Sequence, residues 1–273
     1  MTTTMPVASA RMYSWSPTLT AAWKRLLEWV SARAGGVMQV LEIADPYPLE
    51  ELWAREDLGC VFMCGYPWAL RDERPHLLAA PVPSPARYGG RPIYYTDFIV
   101  RADSPYRTLE DTFGGTLAYS IEHSHSGYNA ARFHLLEHRR ADRPSLYAKV
   151  LGPLHRQLPV IDAVIDGRAD VGPVDAYGLD LLRRHGTERA KRVRVVATTL
   201  PAPSAPLVAS PMVDAATRAR LTDALLAVHT APEMTATLDE LLLARFVHAD
   251  AGAFDVMVER QHAAERAGYP RLA

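Results

Sequence analysis

Two cysteines among 273 residues, Cys60 and Cys64, leave no basis for a disulfide framework. Their C-x3-C spacing has no second pair beside it, which excludes a zinc site of four cysteines. The apolar neighbours Val61, Phe62 and Met63 read instead as a buried strand with core thiols. Net charge is also scarce: 30 Lys+Arg against 31 Asp+Glu gives −1, so a chain-wide basic footprint for nucleic acid is missing. The longest apolar run, Cys60 to Leu70, is broken by Gly65 and Pro67 and falls short of the ~18–20 residues that insertion in a bilayer needs. No G-x4-G-K-[ST], G-x-G-x-x-G, G-x-S-x-G or H-E-x-x-H motif occurs. The 21 prolines scatter through turns and form no polyproline tract. Hydrophobic residues at 48% and charged residues at 22% are an ordinary globular balance.

Met1 to Trp15 lacks a basic start, and Arg11 interrupts any apolar core. No secretory signal is read there, so the protein is expected to be cytoplasmic or to start further upstream.

What the sequence does have is alternation. Val7 to Trp15 reads as a strand. Thr18 to Ala34 reads as a helix, with Leu19, Ala22, Trp23, Leu26, Leu27 and Val30 at helical spacing, Ser16 and Pro17 at its start and Gly35-Gly36 at its end. Strand-like stretches recur at 37–43, 60–64, 77–81, 94–101, 115–119, 149–151, 169–172 and 192–198. Helical stretches fall between them, and three more are expected at 214–228, 231–243 and 253–267. The pattern predicts an α/β fold with mostly parallel sheets, interrupted near Tyr94–Arg101.

The stretch AYSIEHSHSGYNAARF (118–133) ends a strand, turns through Ser, His and Gly, and opens a helix. Helix starts leave N–H groups unpaired and favour an anion. Ser124, His125, Ser126 and Gly127 are therefore candidate phosphate-like anion contacts, although an ordinary serine N-cap fits the same residues. His155 follows a strand and precedes a helix, where ligands of α/β sheets gather, or it is a surface-loop histidine. Asp175, at the end of DVGPVD, caps a helix or accepts a proton-bearing ligand oxygen. A carboxylate beside an anion site suits a protonated phosphonate or phosphate and disfavours sulfate. Tyr66 in CGYPW, and Tyr94 and Tyr95, offer hydroxyls or serve packing. His134 and His138 stand at i and i+4 with Glu137 between them, a zinc-compatible spacing. No third ligand follows nearby in sequence and Arg132, Arg139 and Arg140 surround them, so a solvated helix face is expected, with no metal and no cofactor.

In order, YYTDFIVRADSPYRTLEDTFGGTLAYSIEHSHSGYNAARFHLL and VLGPLHRQLPVIDAVIDGRADVGPVDAYGLDLL resemble the phosphonate-binding family of ABC-transporter solute-binding proteins. The resemblance runs from about Ser9 to Val228. It implies a two-lobed type II periplasmic-binding-protein fold with a hinge of two crossing strands, Tyr94–Arg101 and Arg192–Leu200. Residues 1–97 plus 199–273 would form lobe one and residues 98–198 lobe two. A small oxyanion (phosphonate, phosphite or phosphate) would be held in the cleft between them. Carried over by motif, Ser124, His125 and Ser126 fall on the anion-binding helix start, His155 on the family's histidine, Tyr94 or Tyr95 on the hinge tyrosine and Asp175 near the cleft acid. Tyr66 falls in the first-lobe loop facing the cleft. Where the family shows Thr between the serines this chain has His125, whose partly charged imidazole would strengthen anion binding and make it pH-dependent. The resemblance also implies a periplasmic location and an ABC permease as partner. The alternative is a cytoplasmic enzyme on the same scaffold, such as a thiamine-pyrimidine synthase-like protein, with His125, His155 and Asp175 in acid–base roles.

Overall fold

Ser16 and Pro17 open the helix Pro17–Arg33: the serine hydroxyl accepts from Leu19 N at 3.3 Å, and proline fits the first turn where no N–H is needed. The helix buries Leu19, Trp23, Leu26, Leu27 and Val30, as the spacing predicts. It ends where Gly35 and Gly36 take φ of +97° and +71°, backbone that other residues rarely adopt. The structure, a computed structural model, describes residues 5–273; residues 1–4, on which part of the amino-terminal reading falls, lie outside it.

The chain divides into two compact units, the first running up to Ile93 and resuming over Pro203–Ala253, the second made of Tyr94–Ala202 and Phe254–Ala273. The first unit holds a six-stranded sheet in the order Leu243–Val247, His76–Pro83, Leu207–Ala209, Leu58–Phe62, Val7–Ser9, Gln39–Val40. Its core includes Trp23 and Tyr13, each packed edge-on against Phe62 at centroid distances of 5.0 and 5.2 Å. Cys60 is wholly buried in the strand Leu58–Phe62, and burial pushes its thiol up to about 12.

The second unit centres on Thr96–Arg101, paired antiparallel with Val193–Thr198 on one side and Gly172–Asp175 on the other. Beside it, Thr116–Ala118 and Lys149–Leu151 pair in parallel, and Leu117 bridges Val171 in parallel too. The carboxyl ends of these last two strands and of Gly172–Asp175 therefore face the same way. Phe98, Val100, Leu117, Tyr128, Leu135 and Val171 form the core, joined by Tyr269 and Leu272 from the end of the chain.

Several expectations change. The sheets are mixed rather than mostly parallel: in the first unit only the pairings of Val7–Ser9 with its two neighbours are parallel. The strand expected at 169–172 lies at Gly172–Asp175, because pairing with Thr96–Ile99 claims the later residues. The strand expected over Val7–Trp15 stops at Ser9, where the chain tightens into a 3-10 turn at Arg11–Tyr13. The helix expected at 231–243 shortens to Thr235–Glu240: Leu242 takes a left-handed φ of +50°, and Leu243–Val247 becomes a strand along His76–Pro83. The final segment, Phe254–Ala273, expected in lobe one, belongs with the second unit, because Tyr269 and Leu272 complete that unit's core. Both strands expected as crossings lie within the second unit, and the chain changes unit just outside them, after Ile93 and after Ala202.

Candidate ligand site on the second unit

The candidate site residues gather at the three carboxyl strand ends. After Ala118 the chain passes Tyr119 and Ser120 and enters a π-helical turn, His125–Asn129, that runs on into the helix Ala130–Leu135. The wide turn is closed by Asn129 N donating to Ser124 O at 3.0 Å, five residues back. Such turns break helical regularity and recur at functional sites. Ser124 acts as the N-cap, its Oγ accepting from Gly127 N at 3.0 Å. Ser126 stands in the same turn, buried like its neighbours.

Gln157 ties the elements together. Its Nε2 donates to Ser126 Oγ at 3.3 Å, while its Oε1 accepts from Asp175 N at 3.2 Å. Asp175 is 3% exposed and caps the helix Ala176–Arg184, its Oδ1 accepting from Gly178 N at 2.9 Å. Under this bridge Gly127 presses on Ser120: a Cβ on the glycine would stand 1.8 Å from Ser120 Oγ. Ser120 N donates to Gly127 O at 3.3 Å, and the Ser120 hydroxyl, though buried, meets no hydrogen-bond partner among the described residues. His155 N donates to Ser120 O at 2.7 Å, and His155 holds a left-handed φ of +62° with its side chain exposed. Non-glycine residues in that conformation carry strain and concentrate at functional sites.

His125 is placed otherwise than expected. Its ring is wholly buried behind the turn, with Asn129 Nδ2 3.2 Å from Nδ1, Arg260 Nη1 3.3 Å from Nε2 and Tyr94 6.2 Å away ring to ring. Burial first, and the Arg260 charge second, hold its pKa well below the usual histidine value. Both polar neighbours are donors, so a protonated ring would find no acceptor in either. The expected partly charged imidazole is therefore corrected to a neutral one. Arg260 itself donates to Pro201 O at 2.7 Å.

The structure thus brings Ser126, Gly127, Asp175 and the His155 backbone together, with Tyr94 against the buried His125. Tyr95 instead lines a cavity of about 590 Å³ with Phe133, Thr198, Leu200 and Arg260. Tyr66 lies on the first unit, buried in the short helix Gly65–Ala69 that follows the strand Leu58–Phe62. Sequence reasoning missed Ser120, Gln157 and Arg260. Ser120 had a signal, a hydroxyl at the carboxyl end of a strand; Gln157 and Arg260 had none, since they reach the site only through long-range folding.

Solved structures of two-lobed periplasmic binding proteins share this fold. A binding protein component of an ABC phosphonate transporter from Pseudomonas aeruginosa superposes with TM-score 0.79 at 18% identity, covering 97% of this chain and 88% of that one. PhnD1 from Prochlorococcus marinus, in complex with methylphosphonate, gives 0.75 at 12% identity over 96% and 98%. A Xanthomonas citri protein bound to chloride ion gives 0.65 at 22% over 96% and 98%. No curated protein matches the sequence. Residues 13–254 match the family described as ABC transporter, phosphonate, periplasmic substrate-binding protein, and the chain belongs to that family. No helix among the described residues is long and apolar enough to cross a membrane.

Proposed function

We propose that this chain captures a small phosphorus oxyanion at the start of the His125–Asn129 turn and presents it to an ABC permease. The observation that carries the reading is the Gln157 bridge, which sets Ser126 and Asp175 side by side where three strands end. The ligand accepts from the Ser126 hydroxyl and the first-turn N–H groups. The buried Ser120 hydroxyl lies directly below and adds a polar floor. A fully ionised anion would face Asp175 with like charge. A phosphonate, phosphite or phosphate that keeps one proton offers a hydroxyl to that carboxylate, whereas sulfate at neutral pH has none to offer.

Calorimetry with methylphosphonate, phosphite, phosphate and sulfate tests this. The expected order puts every phosphorus ligand ahead of sulfate, with Ser126→Ala weakening the best of them by about 1–3 kcal/mol through loss of a hydrogen bond to a charged group. Absence of heat and of thermal shift with all three phosphorus ligands would overturn the reading.

A further inference from the structure

The histidine pair that reads in sequence as a solvated face is largely covered. His134 and His138 are each 18% exposed, on the last turns of the helix that begins at the ligand site. Their rings are held by aromatics: His134 lies 5.4 Å from Phe98, and His138 lies 5.3 Å from Phe113 in an edge contact. Two of the three arginines expected to solvate this face are engaged elsewhere. Arg132 donates to Pro270 O and Asn129 Oδ1, and Arg139 donates to the carbonyls of Pro144 and Ala267 while lying over Tyr269.

Glu137 faces both imidazoles, its Oε1 3.4 Å from His134 Nδ1 and 3.5 Å from His138 Nε2. Ligand atoms on a tetrahedral zinc, each ~2.0–2.2 Å from the ion, stand roughly 3.3–3.5 Å apart. The two histidine–carboxylate separations already have that spacing. All three donor atoms lie within 4.8 Å of one another, so closing them on an ion takes only a small ring movement. The group that sequence spacing lacked comes from another turn: Glu110 Oε1 stands 3.4 Å from His138 Nδ1, the nitrogen turned away from the cluster. A carboxylate on the far nitrogen of a histidine is the usual outer partner of a metal-bound imidazole, fixing its tautomer and raising its basicity. His134 and Glu137 line the 590 Å³ cavity as well, so an ion here has an open side for water.

We propose that His134, Glu137 and His138 form a binding site for a divalent transition metal of the zinc type, with Glu110 orienting His138. Two imidazole nitrogens and one carboxylate suit zinc over calcium or magnesium, which prefer all-oxygen shells. The site is separate from the proposed oxyanion contacts and stands or falls without them.

The test uses the full chain free of any histidine tag, stripped with EDTA, then titrated with zinc chloride in a calorimeter and with cobalt(II) in a spectrophotometer. One zinc per chain, a rise in melting temperature, and the intense visible bands of tetrahedral cobalt are expected. His138→Ala should abolish the one-to-one binding. Glu110→Gln, an exposed change that leaves the core intact, should weaken zinc by about 10–100-fold, the usual cost of losing an outer partner. Failure to bind zinc stoichiometrically, a weak octahedral cobalt spectrum, or unchanged affinity in Glu110→Gln together with Glu137→Gln would overturn the proposal.

Discussion

Gly127 sits where the second unit leaves no room for a side chain. A Cβ there meets Ser120 Oγ at 1.8 Å, Ser120 Cβ at 2.9 Å and Gln157 Nε2 at 3.1 Å, so Gly127→Ala must push the turn off Ser120. A loss of about 1–3 kcal/mol in urea unfolding is expected, with partial recovery in Ser120→Gly/Gly127→Ala. His125 gives a pH-dependent prediction. Its folded pKa is lowered, so below the ordinary value of 6.5 the unfolded chain takes up a proton that the folded chain refuses. Stability is therefore full above that value and falls as the pH drops beneath it. Melting temperatures measured from about pH 7.5 down to about pH 5.5 should fall, and fall less in His125→Asn. His134 shifts in the same direction and accounts for part of what remains. At the candidate site, the cap and turn positions of Ser124, Ser126, Gly127 and Asp175 were legible because caps and turns leave local marks. The buried, neutral state of His125 was not, because Arg260 reaches it from 135 positions away in the chain.

Elements with strong local signals formed as read. The apolar stripe, cap and terminal glycines of Pro17–Arg33 are all local, and Ser16→Ala should cost about 1 kcal/mol in thermal or urea unfolding by orphaning the Leu19 N–H. The strand Leu243–Val247 was not legible. An apolar run after a helix reads as more helix, and only the left-handed turn at Leu242 and pairing with His76–Pro83 separate the two. Strand direction was equally hidden, since alternating strand and helix signals do not say which neighbour a strand will find. The register of Gly172–Asp175 was set by its partner, Thr96–Ile99, rather than by its own residues. That choice puts Asp175 at the strand end, where it caps a helix and its N–H donates to Gln157.

At the scale of the whole molecule, the family and its two-unit α/β organisation were legible from the ordered motifs between Tyr94 and Leu182, and the share-out of the chain's end was not. Phe254–Ala273 carries Arg260 to His125 and plants Tyr269 and Leu272 in the second unit's core. Leu272 N donates to Tyr128 Oη at 3.3 Å, and Ala273 O accepts from Leu146 N at 3.0 Å. A chain ending at Ala253 should keep a cooperatively folded first unit while the second loses protection. Limited proteolysis followed by mass spectrometry should then find cuts clustered between Tyr94 and Ala202.

The same arrangement sets an order of events during synthesis. A chain made from its amino end completes the first unit's complement at Ala253, while the second unit, begun at Tyr94, still lacks its closing segment. Its aromatic and aliphatic interior stays open until the ribosome has delivered Leu272, so the half of the protein that carries the proposed anion contacts is the last to mature.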